Sequence, residues 1–231
     1  MTIIEVDDLR VEIERKWIRN IYLRVSPTDA RIRISAPMLM SERAIRQFVL
    51  AKEAWIRQRV RRAGKRGCPA PREYVSGELH YYKGRGYRLQ VVYRDGPAKV
   101  ELVGDELILL YVREGATKVQ REAAMREWYR AEMKALIPML VARWEAVIGV
   151  KARRISIKQM RTRWGSCNHG THDINFNLEL MKKPLRCIEY VVVHELIHII
   201  VRLHNEEFKA LLTRYLPDWR ETKRELNQPF G

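Results

Sequence analysis

The sequence predicts an α+β fold, in which groups of strands are followed by groups of helices instead of alternating with them. Three observations support this: alternating apolar and polar residues fill the first part of the chain, one long amphipathic stretch follows, and the last part has helical spacing. We expect an N-terminal antiparallel β-rich region with one helix over residues 1–115. A mainly helical C-terminal region with a small sheet should cover residues 116–231.

The N-terminal strands are predicted from residue alternation between Ile3 and Ile34, with a turn at SPTDA. Ser41 is suited to cap a helix whose apolar positions follow helical spacing as far as Gly64. The stretch GKRGCPAP, which follows, is typical of a linker or exposed loop. This region therefore begins as a sheet and continues as one helix.

A second group of strands is predicted in ELHYYKGRGYRLQVVYR, AKVELV and ELILLYV, with GRG as a hairpin turn. A long amphipathic helix should span Thr117–Ile148 and end at Gly149. After it come a strand at RISIKQM, a turn-rich stretch RWGSCNHGTHD, a short strand at INFNLEL, and helices from about Leu185. The sequence shows no internal repeat.

The chain is strongly basic, with a formal net charge of +16. Its basic residues concentrate in Arg57–Arg66 and Lys151–Arg163, which are candidate contacts for nucleic acid. A solvated basic surface accounts for the same residues equally well. Nucleic acid is therefore one possible partner.

Composition also bears on the compartment. The N-terminus contains acidic residues in place of a secretory signal, and no run of eighteen apolar residues occurs, so we expect a cytoplasmic protein without membrane contact. The cysteines Cys68, Cys167 and Cys187 lack the spacing of a thiolate metal site, and we interpret them as reduced thiols.

The segment VVVHELIHIIVRLH places three histidines close together in an otherwise mostly apolar stretch. His194 and His198 are four residues apart, so on a helix they share one face and can bind one metal ion. Glu195 lies beside them, where its carboxylate can reach a water molecule in the site. Burying these groups without partners would be costly. A pair of hydrogen-bonded helix histidines without a metal is the alternative.

His204 can join the pair only if the helix breaks near Arg202 or Leu203, because an uninterrupted helix would point it away. Asn205 is a good N-cap, and acidic residues follow it, so a new helix is expected to start there. Three imidazoles with one open position are the ligand set of a catalytic zinc site.

The motifs RTRWGSCN, INFNLEL and YVVVHELIHII, with His204 six residues after His198, resemble the signature of the YgjP-like zinc metallopeptidases. That family is related to the SprT-like proteases and the wider zincin group. The resemblance covers nearly the whole chain and implies that residues 116–231 form a zincin-like metallopeptidase domain. It also implies one zinc ion per chain, held by His194, His198 and His204, with Glu195 as the catalytic base.

The resemblance further implies that the RWGSC segment borders the active-site cleft. The candidate cleft residues are Arg163, Trp164, Gly165, Ser166, Asn177 and Tyr190. Arg163, Tyr190 and Tyr215 are candidates for stabilising the oxyanion. His169 and His172 fall outside the signature and are interpreted as exposed loop histidines.

We therefore expect a zinc-dependent metallopeptidase that hydrolyses peptide or protein substrates. Two alternatives remain at this stage. One is a metal-dependent nucleotide phosphohydrolase, although the chain lacks a phosphate-binding glycine loop. The other is a nucleic-acid-binding protein with a non-catalytic zinc site, which would have no use for Glu195.

Overall fold

The computed structural model describes residues 2–26, 29–65 and 72–229. Within them the fold is α+β, as predicted, with six helices and three small mixed sheets. The chain divides into two compact units, Met1–Arg72 and Glu73–Gly231. No helix in these ranges is both long and apolar enough to cross a membrane.

The first unit is a four-stranded sheet followed by two helices. Its elements are β1 (Thr2–Val6), β2 (Leu9–Lys16), β3 (Tyr22–Val25), β4 (Ile32–Pro37), α1 (Glu42–Ala51) and α2 (Glu53–Lys65). The strands lie in the order β1-β2-β4-β3. Alternate residues of β2 and β4, among them Val11, Ile13 and Ile34, are buried and pack with Ile45 and Val49 of α1. The predicted alternation thus marks the core face of this sheet.

The predicted single helix of the first unit is two helices. The Oγ atom of Ser41 accepts a hydrogen bond from the Ala44 backbone N–H at 3.3 Å, so the predicted cap is confirmed. Helix α1 ends at Lys52, whose backbone is not helical (φ −110°, ψ 6°). Helix α2 begins at the next residue, Glu53. Residues 66–71 of the predicted linker, with Cys68, lie outside the described residues.

The second unit begins with a sheet of the same strand order as the first. Its strands are β5 (Leu79–Tyr82), β6 (Arg85–Tyr93), β7 (Lys99–Val103) and β8 (Leu107–Val112), in the order β5-β6-β8-β7. Lys83 and Gly84 form the hairpin turn, both with positive φ. A Cβ atom on Gly84 would lie 2.7 Å from the Pro184 side chain, so the position needs glycine for space as well as for backbone conformation.

Helix α3 (Lys118–Ile148) packs on this second sheet. Thr117 caps it through a capping box with Gln120, and Gly149 ends it in the left-handed conformation, so its predicted limits are confirmed within one residue. Buried side chains of α3, including Met125, Met133 and Ile137, share one hydrophobic core with β6, β8 and the C-terminal helices.

A third sheet and three more helices complete the second unit. They are β9 (Arg154–Lys158), β10 (Gly165–Asn168), β11 (Asp173–Asn177), a short 3₁₀ turn (Leu178–Lys182), α4 (Leu185–Ile197), α5 (Glu206–Tyr215) and α6 (Trp219–Leu226). The strands lie in the order β10-β11-β9. Part of the predicted turn-rich stretch is therefore a strand, β10, which forms an antiparallel hairpin with β11.

The prediction that the N-terminal region is antiparallel is wrong for one central pair in each sheet. β2 and β4 are parallel, as are β6 and β8, and β9 and β11 in the third sheet are also parallel. Residue alternation shows which face of a strand is buried but not the direction of its neighbour. The first two sheets have the same strand order, and each is followed by a helix. The structure therefore contains a repeat, although the sequence shows none.

The division between the units lies earlier than the predicted boundary at residue 115. The second sheet contributes Leu89, Ile108 and Leu110 to the core that contains α3 and α4, so residues from Glu73 onward form one compact unit. The apolar residues of the first unit form a separate cluster of their own. The sequence pattern changes from strand to helix near residue 115, but the residues on both sides belong to the same hydrophobic core.

Ion pairs reduce the free charge of both predicted basic segments. In the first, Arg57 pairs with Asp8 and Glu53, and Arg66 lies outside the described residues. In the second, the Lys151 ammonium group pairs with Glu145, and the Arg153 guanidinium group pairs with Asp173. Contact with nucleic acid stays a prediction.

Candidate active site

Helix α4 carries the predicted HExxH segment and is mostly buried. Its apolar residues, such as Val192, Val193 and Leu196, are fully enclosed in the core, which fixes the orientation of the helix. The helix ends at Ile197, and His198 is its C-cap. The break therefore comes earlier than the predicted position near Arg202 or Leu203. After the helix, the backbone forms hydrogen bonds of the turn type, such as the one from the Ile199 N–H to the Leu196 carbonyl at 3.0 Å.

The chain returns through His204 into helix α5. The Asn205 Oδ1 atom accepts a hydrogen bond from the Phe208 backbone N–H at 3.0 Å, so the predicted N-cap is confirmed. Leu203 does not adopt a positive φ, so the turn is made without strain at that residue. Phe208 is buried and lies under all three imidazoles, with ring centroids 4.7 to 4.9 Å apart.

The imidazoles of His194, His198 and His204 converge at one point. The Nε2 atom of His204 lies 3.1 Å from that of His198 and 3.0 Å from that of His194. The His198 Nδ1 atom lies 3.0 Å from the Val201 carbonyl, which can only accept, so Nδ1 carries the proton and Nε2 presents a lone pair. Three ring nitrogens this close form a fitting donor set for a divalent metal ion.

The surroundings keep these histidines neutral. Burial, with smaller contributions from the other two imidazoles and Lys223, lowers the pKa of His194 to about 3. Burial is also the main cause of the lowered pKa values of His198 and His204. Neutral imidazole is the form that binds metals, so the three side chains are ready to act as ligands near neutral pH.

Glu195 is buried beside this cluster, with 5% of its surface exposed. Burial raises the pKa of its carboxyl group to about 8, although the positive charge of Arg163 and a hydrogen bond from the Cys167 backbone oppose the rise. A Cβ atom on Gly165 would lie 2.6 Å from the Glu195 Oε1 atom and 2.8 Å from its Cγ atom. Only glycine at position 165 therefore leaves room for this carboxylate.

Asn177 forms hydrogen bonds to the segment that precedes β10. Its side chain is buried, and the Nδ2 group donates to the carbonyls of Met160 and Arg163 at 2.9 and 2.8 Å. Its Oδ1 atom accepts from the backbone N–H groups of Met160 and Glu179. Asn177 thus connects the 3₁₀ turn to the chain that leads into Gly165.

These elements enclose a cavity of about 590 Å³. The three histidines and Glu195 line it, together with five of the six predicted cleft residues: Arg163, Trp164, Gly165, Ser166 and Tyr190. The structure does not place Asn177 in the lining. Tyr215 is not among the lining residues either, because its ring packs edge-on against Trp144.

The cavity also contains residues that the sequence did not indicate. They are His169, Val191, Arg202, Lys223, Leu226 and Asn227, and Cys167 of the predicted RWGSC segment lines the cavity as well. His169 is exposed, as predicted for a loop histidine, but its Nδ1 atom also lies 2.9 Å from the His198 carbonyl. Lys223 and Leu226 belong to α6, whose sequence carries no chemical motif. Only the folding of α6 over α4 brings them to the site.

Among the described residues, no cysteine belongs to the cluster of side chains that could hold a metal ion. Cys167 and Cys187 are free thiols, as predicted. Burial raises the pKa of Cys167 to about 11 and that of Cys187 to about 12. Both therefore stay protonated and poorly nucleophilic at neutral pH.

Comparisons with known proteins identify two solved structures and one protein family that this chain resembles. The metallopeptidase zymogen of Pyrococcus abyssi abylysin is 14% identical over 38% of this chain and 90% of its own, with a TM-score of 0.36. That of Methanocaldococcus jannaschii jannalysin is 21% identical over 39% of this chain and 92% of its own, also with a TM-score of 0.36. A search of curated proteins finds no match. Residues 19–229 match the YgjP-like metallopeptidase domain, and since this match spans most of the chain, the protein belongs to the YgjP-like family of metallopeptidases.

Proposed function

We propose that this metallopeptidase uses one zinc ion, held by His194, His198 and His204, and that Glu195 is its general base. The observation that carries the proposal is the convergence of the three Nε2 atoms beside a buried carboxylate in one cavity. A zinc ion in this position would lower the pKa of a bound water molecule and polarise a substrate carbonyl. The substrate is a peptide or a protein, as the family indicates.

The remaining steps belong to the side chains of the chain itself. Glu195 would accept a proton from the attacking water and pass it to the leaving amine. Its raised pKa suits this exchange, because a group with a pKa near the working pH can both take up and release a proton. Gly165 leaves the carboxylate the space it needs.

We assign stabilisation of the oxyanion to Tyr190 or Arg163. Tyr190 lines the cavity next to His194, with ring centroids 5.7 Å apart, and burial raises its pKa to about 12, so its hydroxyl remains a donor. Arg163 lines the same cavity and is exposed. Tyr215, the third candidate from the sequence, lies away from the lining. Every lining residue falls within residues 116–231, which we propose as the catalytic region.

The proposal is tested by metal content and peptide hydrolysis measured on the same preparations. We expect about one zinc ion per native chain, and a large loss of zinc in His204→Ala. Glu195→Gln should retain zinc while hydrolysis falls by roughly 10² or more, as expected when a general base is removed. Hydrolysis unaffected by Glu195→Gln would exclude this residue as the base. A native chain that takes up no zinc would exclude the proposed metal site.

A further inference from the structure

The active-site cavity has an unbalanced charge. Among the described residues that line it, Arg163, Arg202 and Lys223 are cationic and only Glu195 is acidic. A second cavity of the same unit, between β7, β8 and α3, is lined by two cations and two acids: Lys99, Arg113, Glu114 and Glu127. The positive net charge of the chain therefore does not make every cavity cationic.

The three cations also form no ion pair with any of the described residues. Within the ranges that the structure describes, none of them has a carboxylate oxygen within ion-pairing distance, whereas many other basic residues do, such as Arg153 with Asp173 and Arg186 with Glu225. The Lys223 ammonium group lies 5.8 Å from the centre of the Trp219 ring, which is a contact that leaves its charge available. Unpaired cations at a cavity wall attract anionic ligands.

The three cations come from different segments of the cavity lining. Arg163 precedes β10 and acts electrostatically on Glu195, whereas Lys223 belongs to α6 and acts on His194 and His204. Arg202 stands two residues before His204 in the segment that joins α4 to α5. A peptide bound in this cavity would therefore meet positive charge contributed by three separate segments of the chain.

From this arrangement we propose that Arg163, Arg202 and Lys223 select substrates that carry carboxylates next to the scissile bond. The inference rests on the proposed peptidase function and names its substrate class. The carboxylates can come from aspartate or glutamate side chains or from the C-terminus of the substrate. Three cations facing one acid disfavour lysine and arginine at the same substrate positions.

Binding to an inactive variant tests this proposal independently of catalysis. Zinc-loaded Glu195→Gln is titrated with fluorescent short peptides that differ only in two central residues: aspartate and glutamate, their amide counterparts, or lysine. Each peptide is made with a free and with an amidated C-terminus. We expect the acidic peptides to bind roughly tenfold more tightly than the amides, and this preference to shrink in about 1 M salt. Weaker binding of the amidated than of the free forms, whatever the central residues, would identify the terminal carboxylate as the group recognised. A preference that persists in the amidated forms identifies the side chains.

Two charge reversals on adjacent residues of α6 provide a matched comparison. Lys223→Glu changes a cavity residue, and Arg224→Glu makes the same change of charge at an exposed neighbour outside the cavity. We expect Lys223→Glu to abolish the preference for acidic peptides and Arg224→Glu to preserve it within about twofold. Equal effects of the two reversals would mean that overall charge causes the preference, and would overturn the proposal.

The remaining outcomes separate this inference from the proposed function. Equal binding of acidic, amide and basic peptides, in both their free and their amidated forms, overturns the inference, and so does the absence of binding to all of them. Hydrolysis by the native chain without charge preference leaves the peptidase function standing and also overturns the inference. Selective binding of acidic peptides by a chain that cleaves none of them supports the inference and contradicts the proposed function.

Discussion

At the scale of single residues, the close contact between Gly165 and Glu195 limits which side chains fit at position 165. The two residues come from β10 and α4, and the space of the missing side chain is occupied by the carboxylate. Gly165 does not need an unusual backbone conformation, since its φ is not in the left-handed region. Its role is therefore one of space, and larger residues at position 165 must displace Glu195.

This role predicts a specific coupling between two substitutions. Gly165→Ala should lower the free energy of unfolding by about 1–3 kcal/mol in the native background, because the added methyl group meets Glu195. In a Glu195→Ala background the same change should cost little, since the clashing atoms are absent. Denaturant unfolding of the four chains gives the coupling free energy, which we expect to exceed about 0.5 kcal/mol.

The control for this cycle is Gly170→Ala. An added Cβ atom at Gly170 would only meet the Asn168 Oδ1 atom at 3.6 Å, an ordinary contact. Its effect should therefore be the same with and without Glu195. A cost of Gly165→Ala that does not change when Glu195 is removed would show that other neighbours, and not this carboxylate, require the glycine.

At the scale of elements, the start of α5 fixes the third imidazole. Asn205 caps the helix immediately after His204, so its hydrogen bond to Phe208 also holds the histidine in place. Asn205→Ala should destabilise the protein by about 1 kcal/mol and weaken zinc binding several-fold, as the start of α5 frays. Asn205→Asp keeps a side chain that caps equally well and should stay close to the native chain in both measurements. If calorimetric zinc titrations cannot distinguish the two variants, the cap does not position His204.

The elements also show which features of the fold could be predicted from the sequence. Caps and helical spacing located the starts of α1, α3 and α5 correctly, because Ser41, Thr117 and Asn205 act through bonds to residues only three positions away. The convergence of the histidines followed from helical geometry once a break was assumed. The parallel pairing of β2 with β4 and the approach of α6 to the cavity depend on contacts between distant segments, which residue patterns do not record.

At the scale of the whole molecule, the two units have separate hydrophobic cores. One cluster contains only residues between Ile4 and Val60, and the other only residues between Tyr74 and Leu226. The cavity and all of its lining belong to the second unit. A folded metal site should therefore not require the first unit.

We expect a fragment of residues 73–231 to fold cooperatively and to bind about one zinc ion, as the full chain does. A fragment of residues 116–231, which follows the boundary drawn from the sequence, lacks β6 and β8 and should expose the apolar side of α3. Calorimetry and zinc content of both fragments check this expectation. A cooperative transition in the shorter fragment, or its absence in the longer one, would contradict the division at Glu73.

The shared order of the first two sheets has a consequence for folding. Each sheet consists of two hairpins, β1–β2 with β3–β4 and β5–β6 with β7–β8, which meet side by side through a parallel pair. A hairpin closes a short loop and forms quickly, whereas parallel pairing joins strands that are further apart in the chain and forms slowly. Each of these two sheets should therefore form when two preformed ribbons dock, and the helices that follow pack on the docked sheet. Until that step, the inner strands β2, β4, β6 and β8 each present an unpaired edge, which makes this the stage at which the chain is most exposed to aggregation.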